Sequence, residues 1–190
     1  MKTYHFLLVT SKSGVTSDNE LFDLSDDLYE AGCDDATIAT YNGTIYLSFY
    51  RESESYGEAV LSAIQDVEKV NQIQVVSVDA GDWVGLSDAA ELSGITKSAL
   101  SRYSKGERGT GGFPSPVQRI DSKTPLWSWS DIADWLEKKG KVDQEIVDNA
   151  KLTSTINISL QLRNAEKMRE VMGMLDRVHG SIPQRAACSL

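Results

Sequence analysis

Lys97, Ser98, Ser101, Arg102 and Lys105 fall within one short stretch, and all five are hydrogen-bond donors of the kinds that grip nucleic acid. Lysine is a compact cation for phosphate, arginine a planar fork that matches paired acceptors on guanine, and serine serves either backbone or base. Arg108, Arg119 and Lys123 follow, so residues 95–123 hold six Lys/Arg against Glu107 and Asp121, a local +4. The whole chain of 190 residues is acidic, at −9. A basic island can still hold a polyanion, because exposed charges more than a screening length away, ~8–10 Å, contribute little. The spacing predicts that Ser98, Ser101 and Arg102 reach base edges, while Lys105, Arg108 and Lys123 touch phosphate.

Other chemistries lack their residues. The chain has two His and two Cys, His5, His179, Cys33 and Cys188, too few and too scattered for a structural zinc site or a disulfide framework. No nucleophile, base and orienting group fall into a recognisable set, so neither an enzyme nor a cofactor or metal is expected. The glycine-rich run Lys105–Gly112 lacks the Gly-Lys-Ser/Thr ending and the preceding strand of a nucleotide loop. It is expected to be a flexible basic loop that orders on the DNA backbone, or a plain mobile connector. No apolar run approaches the roughly 20 residues of a membrane span. Met1–His5 leads straight into an expected strand, so no secretory leader is expected and the compartment is expected to be the cytoplasm.

The elements that must position these donors follow from caps and periodicity. Ser87 is the expected N-cap of a short helix through Leu92, and Thr96 of a second helix through Tyr103. Ala90, Gly94 and Leu100 have the spacing of a helix-turn-helix: a small residue at the crossing, a glycine in the turn, an aliphatic plug. Phe113-Pro114-Ser115-Pro116 leads into an expected strand Val117–Ile120. Asp121–Pro125 turns, and Leu126-Trp127-Ser128-Trp129 returns. Ser130 is then expected to cap a helix with Trp135 and Leu136, and Trp127, Trp129 and Trp135 are expected to be core, Trp129 fitting neither face cleanly.

Gly94, Phe113, Pro114, Pro116, Val117, Trp127, Ser130, Asp131, Ile132, Trp135 and Leu136, in this order and spacing, resemble the winged helix-turn-helix domains of the MerR, excisionase and AlpA-like group. The likeness covers about residues 84–139 and implies a double-stranded DNA-binding fold. The longer Gly-rich insert departs from the group's short connector.

Residues 1–83 carry four Lys/Arg and fifteen Asp/Glu, a net −11, whereas residues 84–190 carry +2. The acidic part is a poor DNA contact and better suited to self-association, a protein partner or a small-molecule effector. Its order reads β-α-β-β-α-β. Strand Tyr4–Thr10 is followed by a helix capped at Ser17, and Asn42-Gly43 forms a hairpin between Thr37–Tyr41 and Thr44–Tyr50. A helix capped at Ser55 and strand Ile73–Val78 complete it. The fold class expected is α+β: a ferredoxin-like domain over 1–80, a linker Asp79–Asp82, a winged helix-turn-helix over 84–139, helices over 142–179 and a tail over 180–190. Asp26-Asp27 and Asp34-Asp35 read as solvated acids, and His5 as a packed or surface residue.

Between Val142 and His179 helix is favoured over the alternation Ile156-Ile158-Leu160-Leu162. Ile146, Ala150, Ile156 and Leu160, continued by Met168, Met172 and Leu175, form the expected homodimer seam, with folding back onto the first domain as the alternative. Together these residues lead to an expected dimeric, sequence-specific transcriptional regulator. The alternatives are an excisionase-like architectural DNA-bending factor and a defence- or toxin-linked adaptor tethered to DNA.

Overall fold

The computed structural model describes residues 1–15, 17–79 and 82–179, so the expected tail and two linker positions, Ala80 and Gly81, lie outside them. The architecture is mixed α+β. β1 (Lys2–Thr10) turns Phe6, Leu8 and Thr10 inward. The Ser17 hydroxyl accepts from the Glu20 N–H at 3.3 Å and starts α1 (Asp18–Glu30), which buries Leu24 and Leu28. β2 (Ala36–Tyr41) and β3 (Thr44–Ser53) meet across Asn42 and Gly43 at φ 49° and 79°, the paired positive φ of a two-residue hairpin turn. Ser55 caps α2 (Tyr56–Val67), its hydroxyl accepting from the Glu58 N–H at 3.2 Å. β4 (Val75–Asp79) begins two residues later than the sequence predicts. The sheet is antiparallel in the order β2-β3-β1-β4, and α1 and α2 pack on one face over Phe6, Leu8, Leu47 and Phe49.

β5 (Trp83–Val84) precedes α3 (Leu86–Ser93) and α4 (Lys97–Ser104), and pairs with β6 (Trp127–Ser128). α5 (Trp129–Glu137) follows directly, then α6 (Gln144–Leu162) and α7 (Ala165–His179). Helix therefore wins over strand across Ile156–Leu162. A second core joins Val84, Ala89, Leu100, Trp127, Trp129, Ile132 and Leu136. Trp129, buried to 3% exposure, is core after all.

α6 belongs to both cores. Val147 and Ala150 are buried in the second with Ile146 against it, while Ile156 is buried in the first with Leu152 and Leu160 against it. Its first half lies along α5, its second along the outer edge of β4. The Asn157 side chain accepts from the Val78 N–H at 2.8 Å and donates to the Val78 carbonyl at 3.0 Å. This corrects the expected seam: Ile146, Ala150, Ile156 and Leu160 pack within the chain, because the stripe lies between two apolar surfaces of the same molecule. Met168, Met172 and Leu175 on α7 stay exposed.

Candidate nucleic-acid interface

α3 ends at Gly94, whose φ of 68° is the left-handed stop that a tight turn needs. The Thr96 hydroxyl then accepts from the Ala99 N–H at 3.3 Å and starts α4. α3 itself begins one residue before the expected cap. Gly85 is the N-cap, and the Asp88 carboxylate accepts from its N–H at 2.8 Å, so Ser87 already lies inside the helix. The small residue buried completely in α3 is Ala89, while Ala90 is half-buried.

Ala99, Leu100 and Tyr103 anchor α4 to the second core. At about 100° per residue, the positions of Lys97, Ser98, Ser101, Arg102 and Lys105 fall within an arc of about 140° on the opposite side. All are exposed except half-buried Ser101. The cations Lys97, Arg102 and Lys105 take part in no ion pair among the described residues, whereas Lys2, Arg51, Lys69, Lys138 and Arg163 do. The expected donors on this helix are thus brought together on one uncommitted face.

The insert after α4 is tied down. Trp135 Nε1 donates to the Gly111 carbonyl at 3.3 Å, and Lys139 Nζ donates to the Thr110 hydroxyl at 2.7 Å. Arg108 folds back so that its guanidinium lies 5.3 Å from the Tyr103 ring centroid, which holds the charge beside the C-terminal end of α4. Gly109 at φ 82° passes so close to the Tyr103 ring that an added Cβ would sit 3.3 Å from it. The anchoring pair Thr110 and Lys139 was not legible, because the contact joins residues 29 apart in sequence.

Arg119 and Lys123 lie on a separate loop, the expected wing, and both are exposed. The strand expected over Val117–Ile120 reduces to a single bridge, Gln118 with Leu126, with Leu126 N–H donating to the Gln118 carbonyl at 3.0 Å. Arg119 at φ 51° turns the chain away from a ladder immediately after it. The returning arm pairs with β5 instead: Trp127 lies opposite Val84, and its Nε1 donates to the Pro114 carbonyl at 3.1 Å. Ser128, not Ser130, caps α5, accepting from the Asp131 N–H at 3.2 Å while its hydroxyl meets that of Ser130 at 2.9 Å. On α5 the carboxyl of Asp134 is held below the usual carboxylate range by Lys138 beside it, with Lys151 of α6 adding to the effect.

Among the described residues no group of His, Cys, Asp and Glu is arranged to hold a metal ion, and no helix is long and apolar enough to cross a membrane. Comparison of the chain with protein-family models, curated proteins and solved structures yields no match.

Proposed function

We propose that this chain is a sequence-specific, double-stranded DNA-binding transcriptional regulator that acts as a dimer. In this reading α3 and α4 are its helix-turn-helix, and the loop carrying Arg119 and Lys123 is its wing. The observation that carries the reading is the outer face of α4, with five donors on one arc, three core anchors opposite, and cations without acidic partners among the described residues. No acidic residue lies three or four positions from Lys97, Arg102 or Lys105, so pairing along the helix does not offset these charges. The ferredoxin-like order of the first elements adds no DNA contact, since residues 1–83 carry −11.

Selection from a random duplex library, followed by fluorescence anisotropy at several salt concentrations, tests the proposal. A preferred site should emerge, with log affinity falling against log salt at about −0.9 per phosphate neutralised. Arg102→Ala should cost ~1–3 kcal/mol on that site and relax one base pair, whereas Lys123→Ala should weaken all sequences alike. No enrichment, or equal losses on selected and random DNA for both variants, would overturn it.

One observation favours the architectural alternative. The wing tip exposes Ile120 at 73% beside Arg119, and an apolar residue carried there can wedge between base steps and kink the duplex. If so, the selected site migrates as bent DNA when bound, and Ile120→Ser straightens it without abolishing binding.

A further inference from the structure

The two edges of the sheet are treated differently. β4 is closed by α6 through Asn157, whereas on the outer side of β2 the Ala36 N–H donates to the Cys33 carbonyl at 3.1 Å and, among the described residues, no hydrogen bond reaches Ile38 or Thr40 there. The Tyr50 N–H donates to the Asp35 carbonyl at 3.0 Å, which fixes the alternation of the β2–β3 ladder. Thr37, Ala39 and Tyr41 turn their main-chain groups toward β3. Ile38 and Thr40 turn both N–H and carbonyl outward, as does the Ala36 carbonyl. The strand, Ala36-Thr37-Ile38-Ala39-Thr40-Tyr41, has no charge, proline or bulge, the devices that ordinarily guard an edge.

α1 crosses from β1 to β2 and α2 from β3 to β4, so α1 is the helix on the β2 side of the layer. Glu20, Asp23, Asp27 and Glu30 face the clefts against Val70 and Asn71, at the end of α2. The other flank carries Asp18, Phe22, Asp26 and Tyr29, with Phe22 69% and Tyr29 66% exposed. At about 100° per residue Asp18, Phe22 and Tyr29 fall on the side of α1 away from those clefts, Asp26 lies opposite Leu24 and Leu28, and exposed Asp34 stands just before β2.

We infer that the β2 edge and this flank of α1 form a docking site for an extended, cationic segment of another protein, added to the sheet as a further strand. Outward main-chain groups of Ile38 and Thr40 supply the ladder. Lysine or arginine stems on the helix side would cover Phe22 and Tyr29 with their charges at Asp18 and Asp26. Charge selects this occupant over a second copy: residues 1–79 have four bases, of which Arg51, Lys2 and Lys69 are already ion-paired, so self-pairing would set acidic flank against acidic flank. The site is independent of the α4 face.

The test uses the full chain and two end-blocked octapeptides, one alternating lysine with valine and one alternating glutamate with valine. Calorimetry should show salt-sensitive binding of the lysine peptide alone, and amide shifts should centre on Ile38 and Thr40. Thr40 is exposed and its N–H points outward, so Thr40→Pro keeps the β2–β3 ladder while removing a donor and obstructing an added strand. It should weaken binding about tenfold or more. Phe22→Ser, at a side chain 69% exposed, should weaken it with no change in stability and serves as the second variant if Thr40→Pro unfolds. Failure of the lysine peptide to bind, equal binding of both peptides, or undiminished binding by both folded variants overturns the inference. So does concentration-dependent self-association that Thr40→Pro abolishes, which would make a second copy the occupant.

Discussion

Arg51 shows what a single residue can do when its partners are remote in sequence. Its Nε and Nη2 grip both oxygens of Asp35 at 2.8 and 2.9 Å, Nη1 donates to Asp66 at 2.7 Å and to the Ser62 hydroxyl, and Nη2 also donates to the Gly32 carbonyl. The guanidinium lies 5.0 Å from the Phe49 ring centroid. Burial and the nearby Asp66 push the Cys33 thiol up to about 11. Read from sequence, Asp35 was a solvated loop acid; the hairpin folds β3 back along β2 and brings Arg51 to it. Arg51→Ala should cost ~3 kcal/mol in urea unfolding, because Asp35 loses the counter-charge that grips it and Asp66 is left with exposed Lys69 alone. A cost under ~0.5 kcal/mol would show an ordinary surface pair. The caps at Ser17, Ser55 and Thr96 were legible because donor and acceptor lie three residues apart. Ser87 and Ser130 were misread because Asp88 and Ser128 offered equally local bonds, and the β5–β6 pairing decides where α5 can begin.

Among the elements, α6 was legible as a helix and illegible as a clamp. Its stripe of Ile146, Ala150, Ile156 and Leu160 has the same pattern whether it faces a second chain or two cores of its own, and periodicity cannot distinguish them. Polar positions decide it. Asn157, 5% exposed, pairs with Val78, and Thr153, 3% exposed, meets the Tyr56 hydroxyl at 2.8 Å. Burial raises the Tyr56 phenol above its usual range, with the bond to Thr153 acting the other way. Asn157→Leu would leave the Val78 N–H and carbonyl buried without partners, a penalty of ~1–3 kcal/mol per unsatisfied group. We expect a stability loss of about 2 kcal/mol or more and faster hydrogen exchange at the Val78 amide. Unchanged exchange there would mean that the edge is protected by something other than α6. The β2 edge, by contrast, should exchange rapidly at Ile38 and Thr40 in the same spectra.

At the scale of the molecule, charge divides near residue 83, with −11 over residues 1–83 and +2 over residues 84–190. If the chain binds DNA as proposed, a single recognition helix with a small wing offers limited contact, and pairing two such units on half-sites about one DNA turn apart raises affinity without new base contacts. Since α6 packs within the chain, the part of the expected seam left for such pairing is α7, which packs on α6 and buries none of its side chains. Met168, Met172, Leu175 and Val178 share one of its faces, at 42%, 55%, 39% and 69% exposure. A helix of 15 residues without a packed face is marginal in water, where isolated helices shorter than ~12–15 residues scarcely form. A partner copy laid along that face would supply the missing burial. Ile156→Asp cannot test this, because it places a charge in the first core and would unfold the sheet unit. Met172→Asp can, since the new carboxylate stays solvated in the monomer and is buried only in the pair. Sedimentation should show a dimer for the native chain and a folded monomer for Met172→Asp. The variant should bind a half-site with unchanged salt dependence and lose cooperativity on a two-fold site. A native chain that sediments as a monomer while binding the two-fold site cooperatively would place the pairing on the DNA itself, and a variant that stays dimeric would remove α7 from the interface.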